Sequence, residues 1–371
     1  MDGIHAAYRS REFGYDWLPL YLYVSKAAGL IYQLSGLANL FGTYSHVLTI
    51  LLKFIMTGFH LLTVFLVFRI CQSLKMTVRM TNLVTAGVGL SPGTLLATAA
   101  FGYQDAFHTL IVATALYSVV RNRLLFSSVL TVAAALTKPQ AVIFLGPFWL
   151  LVLIKRDFNL LLKCFAGSCV AILAILSPFI VYGTLTDVWE MYWEIPHYHR
   201  WLTGCAHNVW WLFAPVPPFS NDRVLILPGL NGLRIGILAF ASFCGLTAFR
   251  ILSDRVPRSI VSSSAFLAFA FFMVVTEIHE NHLYACFVFL GIAAGMDRRL
   301  WLVFWILSVT FSADLVLTLY LLRTDVPIVL GSLRLSSLNA VINVSVLILW
   351  TFYVVRDLTA VGVSARTADR E

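Results

Sequence analysis

Long apolar stretches separated by loops of only a few residues constrain this chain more than any other feature. A bilayer-crossing helix needs roughly 20 apolar residues, or somewhat fewer when it is short or enclosed in a bundle, and by that rule the sequence holds about 11 spans. They fall near residues 46–70, 80–98, 105–120, 124–137, 140–154, 163–182, 231–250, 259–277, 283–296, 300–321 and 336–355. The expected fold is all-α, a polytopic transmembrane helix bundle with interfacial helices and loops on its outer face. Composition agrees, since 60% of the 371 residues are hydrophobic and 12% are charged, with a mean hydropathy of +0.85. A soluble domain is about 45–50% apolar and about 25% charged. No internal repeat or low-complexity linker is visible, so residues 1–371 read as a single membrane-embedded domain.

The net charge of +8 would suggest nucleic acid in a soluble protein. Here 16 of the 26 basic residues fall on one side of the bundle, some of them in the brief loops 71–79, 121–123, 155–162 and 251–258. Short loops rich in Lys and Arg mark the cytoplasmic side. They read as topology signals, and no nucleic-acid partner is expected. The opposite side receives the N-terminal segment, the turns FGYQDAFH and TKPQ, the long segment 183–230 and TEIHENH, and with them every histidine except His60. That non-cytoplasmic face is therefore the expected working face, in a prokaryotic plasma membrane ahead of the endoplasmic reticulum.

Residues 1–45 are read as an outer loop. Within it, 18–41 include Lys26, Gln33 and two glycines, with Pro19 as a helix start and Tyr21 and Tyr23 as interface aromatics, so an interfacial helix on the outer leaflet is expected rather than a span. This places the N-terminus outside with no span to deliver it, and the expectation is that the chain begins within a loop and lacks a first span.

Four constellations carry candidate chemistry. TEIHENHLY (276–284) crowds Glu277, His279, Glu280 and His282 between two apolar runs, where titratable groups cost several kcal/mol unless paired or working. Histidines three residues apart share a helical face but do not make HExxH, so a zinc-protease reading is weak. In FGYQDAFH (101–108), Gln104 and Asp105 can bond sugar hydroxyls or orient a catalytic group, while the bland reading of Asp105 is a helix cap. In ALTKPQAV (135–142), Lys138 stands before Pro139 at a helix start, a place suited to an anionic phosphate, against the bland reading of snorkelling. The segment 183–230, read as an outer loop, combines five tryptophans with His197, His199, Arg200, His207 and Asn208. Its aromatics suit pyranose faces and membrane interfaces alike. The acidic residues Glu12 and Asp16, with Asp105, are the candidate general bases; the reach such a base needs is geometric. The six cysteines show no framework or CxxC spacing, so neither disulfides nor a zinc site is expected.

In this order, GYQDAFH, TKPQ, AHNVWWLF, TEIHENHLY and the helix start YDWLPLYLY resemble motifs of the GT-C superfamily of integral membrane glycosyltransferases. The likeness is to the mannosyltransferase-like branch that uses polyprenyl-phosphate-linked sugars, and it covers nearly the whole chain. The resemblance implies that Lys138 and His279 face the donor phosphate with Glu280 in support; His282, counted with them as a phosphate-binding candidate, departs from the family, whose members often carry an aromatic or other residue there. The resemblance also implies that Gln104 and Asp105 line the site, with Asn208 and Trp210 near the donor or acceptor sugar; His207, beside Asn208, is a further sugar-site candidate. The likeness further implies an inverting transfer of a mannose-like hexose to a glycan, lipid or protein acceptor. In such enzymes an acidic residue just after the first span commonly serves as base, and that position is absent here. No nucleotide is implied, and the chain has no Gly-rich phosphate loop. No cofactor is expected, although a divalent metal stays open.

Two other classes compete. A transporter or flippase of a lipid-linked substrate would place charged and helix-breaking residues at mid-depth, commonly in repeated halves. Only His60, Lys53 and Asp314 stand out there. A non-catalytic subunit of a glycan-assembly complex is the other alternative.

Overall fold

The computed structural model describes residues 7–8, 18–42, 45–214, 218–254 and 257–368. Each of the eleven apolar ranges forms a helix or a pair of helices. Length then divides them. Among the described residues, five helices are long and apolar enough to cross a membrane: His46–Ser73, Phe158–Val181, Gly232–Asp254, Leu300–Thr324 and Leu335–Thr359. A sixth is available if Val78–Gly89 and Pro92–Phe101, which meet at 46°, form one broken span. Pro92 explains the break, because proline has no N–H to continue the preceding helix.

The count of about 11 spans, several of them short, is thus not confirmed by helix length. The remaining ranges hold shorter helices, Asp105–Val120, Leu124–Ala135, Pro139–Ile154 and Arg258–Val274, together with Tyr284–Met296. A helix of 12 residues such as Leu124–Ala135 reaches only about 18 Å, against a hydrocarbon layer of about 30 Å. Tyr284–Met296 is buried along most of its length, which is where a helix apolar on every side belongs. The long helices instead leave Phe54, Val170, Val309 and Ile348 exposed, as lipid-facing helices do.

The chain divides into two compact units, Met1–His199 and Arg200–Glu371. In the first, Asp105–Val120 packs between His46–Ser73 and Leu124–Ala135, which in turn meets Phe158–Val181. Pro19–Leu34 is helical from the expected proline and buries Tyr21, Leu22, Ala28 and Tyr32. The Tyr23 hydroxyl donates to the Ile175 carbonyl at 2.8 Å, tying this helix to Phe158–Val181, while Leu34, Leu40 and Phe41 stay exposed. The segment 183–230 contains more structure than a loop. Leu185–Tyr198 is an amphipathic helix whose Val188 and Met191 pack with Tyr8, Leu22 and Phe179.

In the second unit, Pro257–Val274 lies between Gly232–Asp254 and Tyr284–Met296, and Leu300–Thr324 packs on Leu335–Ala368. Two small antiparallel hairpins precede helices here, Leu225–Leu227 with Leu230–Asn231 and Val329–Leu330 with Leu333–Arg334. Gly229 and Gly331 turn them at positive φ, +75° and +61°, a region open to glycine at no steric cost. Where Tyr284–Met296 gives way to Leu300–Thr324, Arg299 is bracketed by Asp297 and Asp357 at 2.6 and 2.9 Å and lies over the Tyr353 ring.

Candidate functional site

In the first unit the chemistry gathers at the start of Asp105–Val120. The π-helical turn Leu96–Phe101 closes on Gly102, at φ +74°, where an added Cβ would lie 2.8 Å from Lys53 Cγ. This tight turn delivers Gln104 as the residue before the helix and Asp105 as its first residue. Lys138, in extended backbone just before Pro139, reaches across so that its Nζ donates to both Asp105 carboxylate oxygens at 3.0 Å. Gln140 Nε2 donates to the same carboxylate at 3.3 Å. Asp105 and Lys138 are 1% and 3% exposed, so this is a buried ion pair. Two of the three ammonium N–H groups are thereby directed at Asp105. Gln104 Oε1 is buried close by with no hydrogen-bond partner.

In the second unit two layers form around the segment 200–208. The deeper layer is a polar network. The His207 backbone N–H donates to Asp314 Oδ2 at 3.1 Å, and Asn343 Nδ2 donates to the His207 carbonyl at 2.9 Å. Asn339 Nδ2 donates to the Thr310 carbonyl and lies 2.9 Å from His207 Nδ1. His207 is fully buried against the edge of the Trp211 ring, and burial pushes its imidazole down to about 3. Asn208 is fully buried as well: Oδ1 accepts from the Trp210 N–H at 3.0 Å and Nδ2 donates to the Phe272 carbonyl at 3.1 Å. Trp210 Nε1 donates to the Val274 carbonyl at 2.8 Å. These bonds hold the segment onto the helices, while His207 Nε2 is buried with no hydrogen-bond partner.

The outer layer lies on that support. Glu277 N–H donates to the Trp201 carbonyl at 2.9 Å, and both Gly204 and Ala206 N–H groups donate to the Ile278 carbonyl. These three backbone hydrogen bonds between 201–206 and 277–278 thus hold TEIHENHLY. Gly204 lies under the His279 ring, where an added Cβ would come within 3.0–3.2 Å of three ring atoms. The His279 and His282 rings meet edge to face at 5.6 Å, with Trp201 edge to face on His279 at 6.2 Å. Both histidines are half-buried, while Glu280 is buried.

Glu277 has an uncommon backbone, φ +64°, for a residue that is neither Gly nor Asn. Burial, then the charge of Asp222, pushes its carboxyl up to about 7, and Arg223 and Arg200 only partly offset this. Asp222 is fully buried beside Arg223 at 3.2 Å, accepts from the Thr276 hydroxyl at 3.3 Å, and is itself raised by desolvation.

The structure thus brings Asp105 and Lys138 together in one unit, and His279, Glu280 and His282 together in the other. Glu12 and Asp16 lie outside the described residues. Sequence reasoning missed Gln140, Asp222 and Gly204. Gln140 stands within the quoted TKPQ turn, whereas Asp222 is far in sequence from Glu277 and only folding pairs them. No group of three or more His, Cys, Asp or Glu side chains is placed to hold a metal ion among the described residues.

No family model matches the chain, and no curated protein matches it. Among solved structures it is similar to the crystal structure of ArnT from Cupriavidus metallidurans bound to undecaprenyl phosphate, at 14% identity and a TM-score of 0.47. The match covers 99% of this chain and 66% of that one, so the chain spans less than two thirds of that protein's length.

Proposed function

We propose that the chain is a membrane glycosyltransferase of the GT-C type. It moves a mannose-like hexose from a polyprenyl-phosphate donor to a glycan, lipid or protein acceptor on the non-cytoplasmic face. The observation that carries this reading is the loop 276–283, where a carboxyl titrating near neutrality stands two residues from a pair of touching imidazoles. A general base works best with a pKa near the operating pH, and burial has brought Glu277 there.

In the reaction, the acceptor hydroxyl oxygen bonds to the anomeric carbon as the bond from that carbon to the phosphate oxygen breaks on the opposite face. The hydroxyl proton passes to the Glu277 carboxylate. The phosphate leaves with the bonding pair, and its growing charge is met by the imidazoles of His279 and His282. This assignment gives Glu277 the role first expected of Glu12, Asp16 or Asp105, of which Asp105 is held by Lys138.

The test is transfer from radiolabelled polyprenyl-phosphate mannose in membranes, comparing the parent chain with Glu277→Gln and His279→Ala. Loss of a positioned base lowers the rate by about 100-fold or more. Transfer by Glu277→Gln within threefold of the parent would remove Glu277 from the mechanism. A parent that binds the lipid donor yet transfers no sugar would overturn the enzyme reading.

A further inference from the structure

The five tryptophans of 183–230 separate into two sets. Trp201, Trp210 and Trp211 are wholly or partly enclosed around the segment 200–208, whereas Trp189 and Trp193 are 70% and 69% exposed. The exposed pair lies one helical turn apart on Leu185–Tyr198, whose opposite face is buried through Val188 and Met191. Glu190 and Glu194, also exposed and also one turn apart, stand beside the two rings. The four side chains line an open cavity of about 300 Å³.

We propose that this shelf binds a carbohydrate chain of neutral or amino-bearing sugars. Indole faces stack on the C–H faces of pyranose rings, and two rings a turn apart offer consecutive platforms. Carboxylates beside them accept from sugar hydroxyls in charge-assisted hydrogen bonds. Charge decides against the lipid surface as occupant. Helices that lie on anionic membranes carry Lys and Arg on their polar face. Leu185–Tyr198 has neither, and it carries Asp187, Glu190 and Glu194. The same carboxylates repel glycans bearing phosphate or uronic acid. That the bound chain is the acceptor rests on the transferase reading; the binding itself does not.

The experiment uses the full chain in zwitterionic nanodiscs and titrates mannohexaose, cellohexaose and a glucosamine hexamer by calorimetry. At least one hexamer binds the parent, and Trp189→Ala/Trp193→Ala weakens it about tenfold or more. Glu190→Gln/Glu194→Gln weakens the glucosamine hexamer most. Absence of binding by all three, or equal binding by the tryptophan variant, overturns the proposal. So does quenching of parent fluorescence by brominated lipid that disappears in the tryptophan variant, because it places the two rings in the bilayer. Binding without transfer counts against the transferase reading alone, and transfer without binding counts against the shelf alone.

Discussion

Removing Lys138 while keeping Asp105 should destabilise the first unit more than almost any other single change. The Nζ is 3.0 Å from both carboxylate oxygens, and the two side chains are 4% and 1% exposed. Lys138→Met would strand a buried carboxylate whose nearby Gln140 amide, at 3.3 Å, supplies a hydrogen bond but no charge. Breaking one side of such a pair costs about 3–5 kcal/mol. Replacing both sides by apolar groups of similar volume is commonly neutral. Asp105→Leu/Lys138→Met should then lose only the carboxylate at the helix start, about 0.3–1 kcal/mol. The two single changes and the double form a cycle with a coupling of several kcal/mol. The assay is unfolding in mixed micelles of mild and denaturing detergent, followed by tryptophan fluorescence. Single changes that each cost less than about 1 kcal/mol, or a double change as costly as their sum, would refute the buried-pair account. The same variants address function. If Lys138 also serves the donor phosphate, as its place in TKPQ implies, the double variant recovers stability and still transfers no sugar.

Other consequences follow from single positions. Glu277 titrates near 7 in the folded chain against 4.5 ordinarily, so between those values the folded state holds a proton that the unfolded chain has released. Stability should therefore fall as pH rises from about 4.5 to about 7, and Glu277→Gln should flatten that stretch of a melting-temperature profile. Gly204→Ala should push the His279 ring by a few tenths of an ångström and lower transfer with little change in melting temperature, measured side by side. Asn208→Leu should cost about 2–4 kcal/mol, because it leaves the Phe272 carbonyl and the Trp210 N–H without their partner, and the same unfolding assay reads it.

Helix positions were legible because apolar runs leave the backbone little choice, and all eleven ranges are helical. Span count was less so. Hydropathy measures how apolar a segment is and not what covers it, so Tyr284–Met296, enclosed by protein, reads the same as Phe158–Val181, which leaves Val170 and Leu173 exposed. The Asp105–Lys138 pair shows the same limit in the site. Each residue was visible alone, one as a helix start and one before a proline, but their 33-residue separation hid the bond between them. Asp222 was invisible for that reason too, since its partner Thr276 is 54 residues away.

The polar residues inside apolar helices bear on the choice between enzyme and transporter. Asp314 and Asn343, both within spans, are what a translocation path would need. Each instead bonds the backbone of His207, and Asn339, one turn from Asn343, meets the His207 ring. His60, another polar group at depth, lies 3.3 Å from the Gly89 carbonyl. A group spent on holding a loop cannot be released to carry cargo without undoing the loop. On the proposed reading, changes at the half-buried Glu277, His279 and His282 should lower transfer, and changes in the network around His207 should lower stability. Asn343→Leu and His279→Ala separate the two cases: the first should lower the melting temperature, the second only the transfer rate. A His279→Ala chain that melts several degrees early while Asn343→Leu does not would reverse the assignment of the layers.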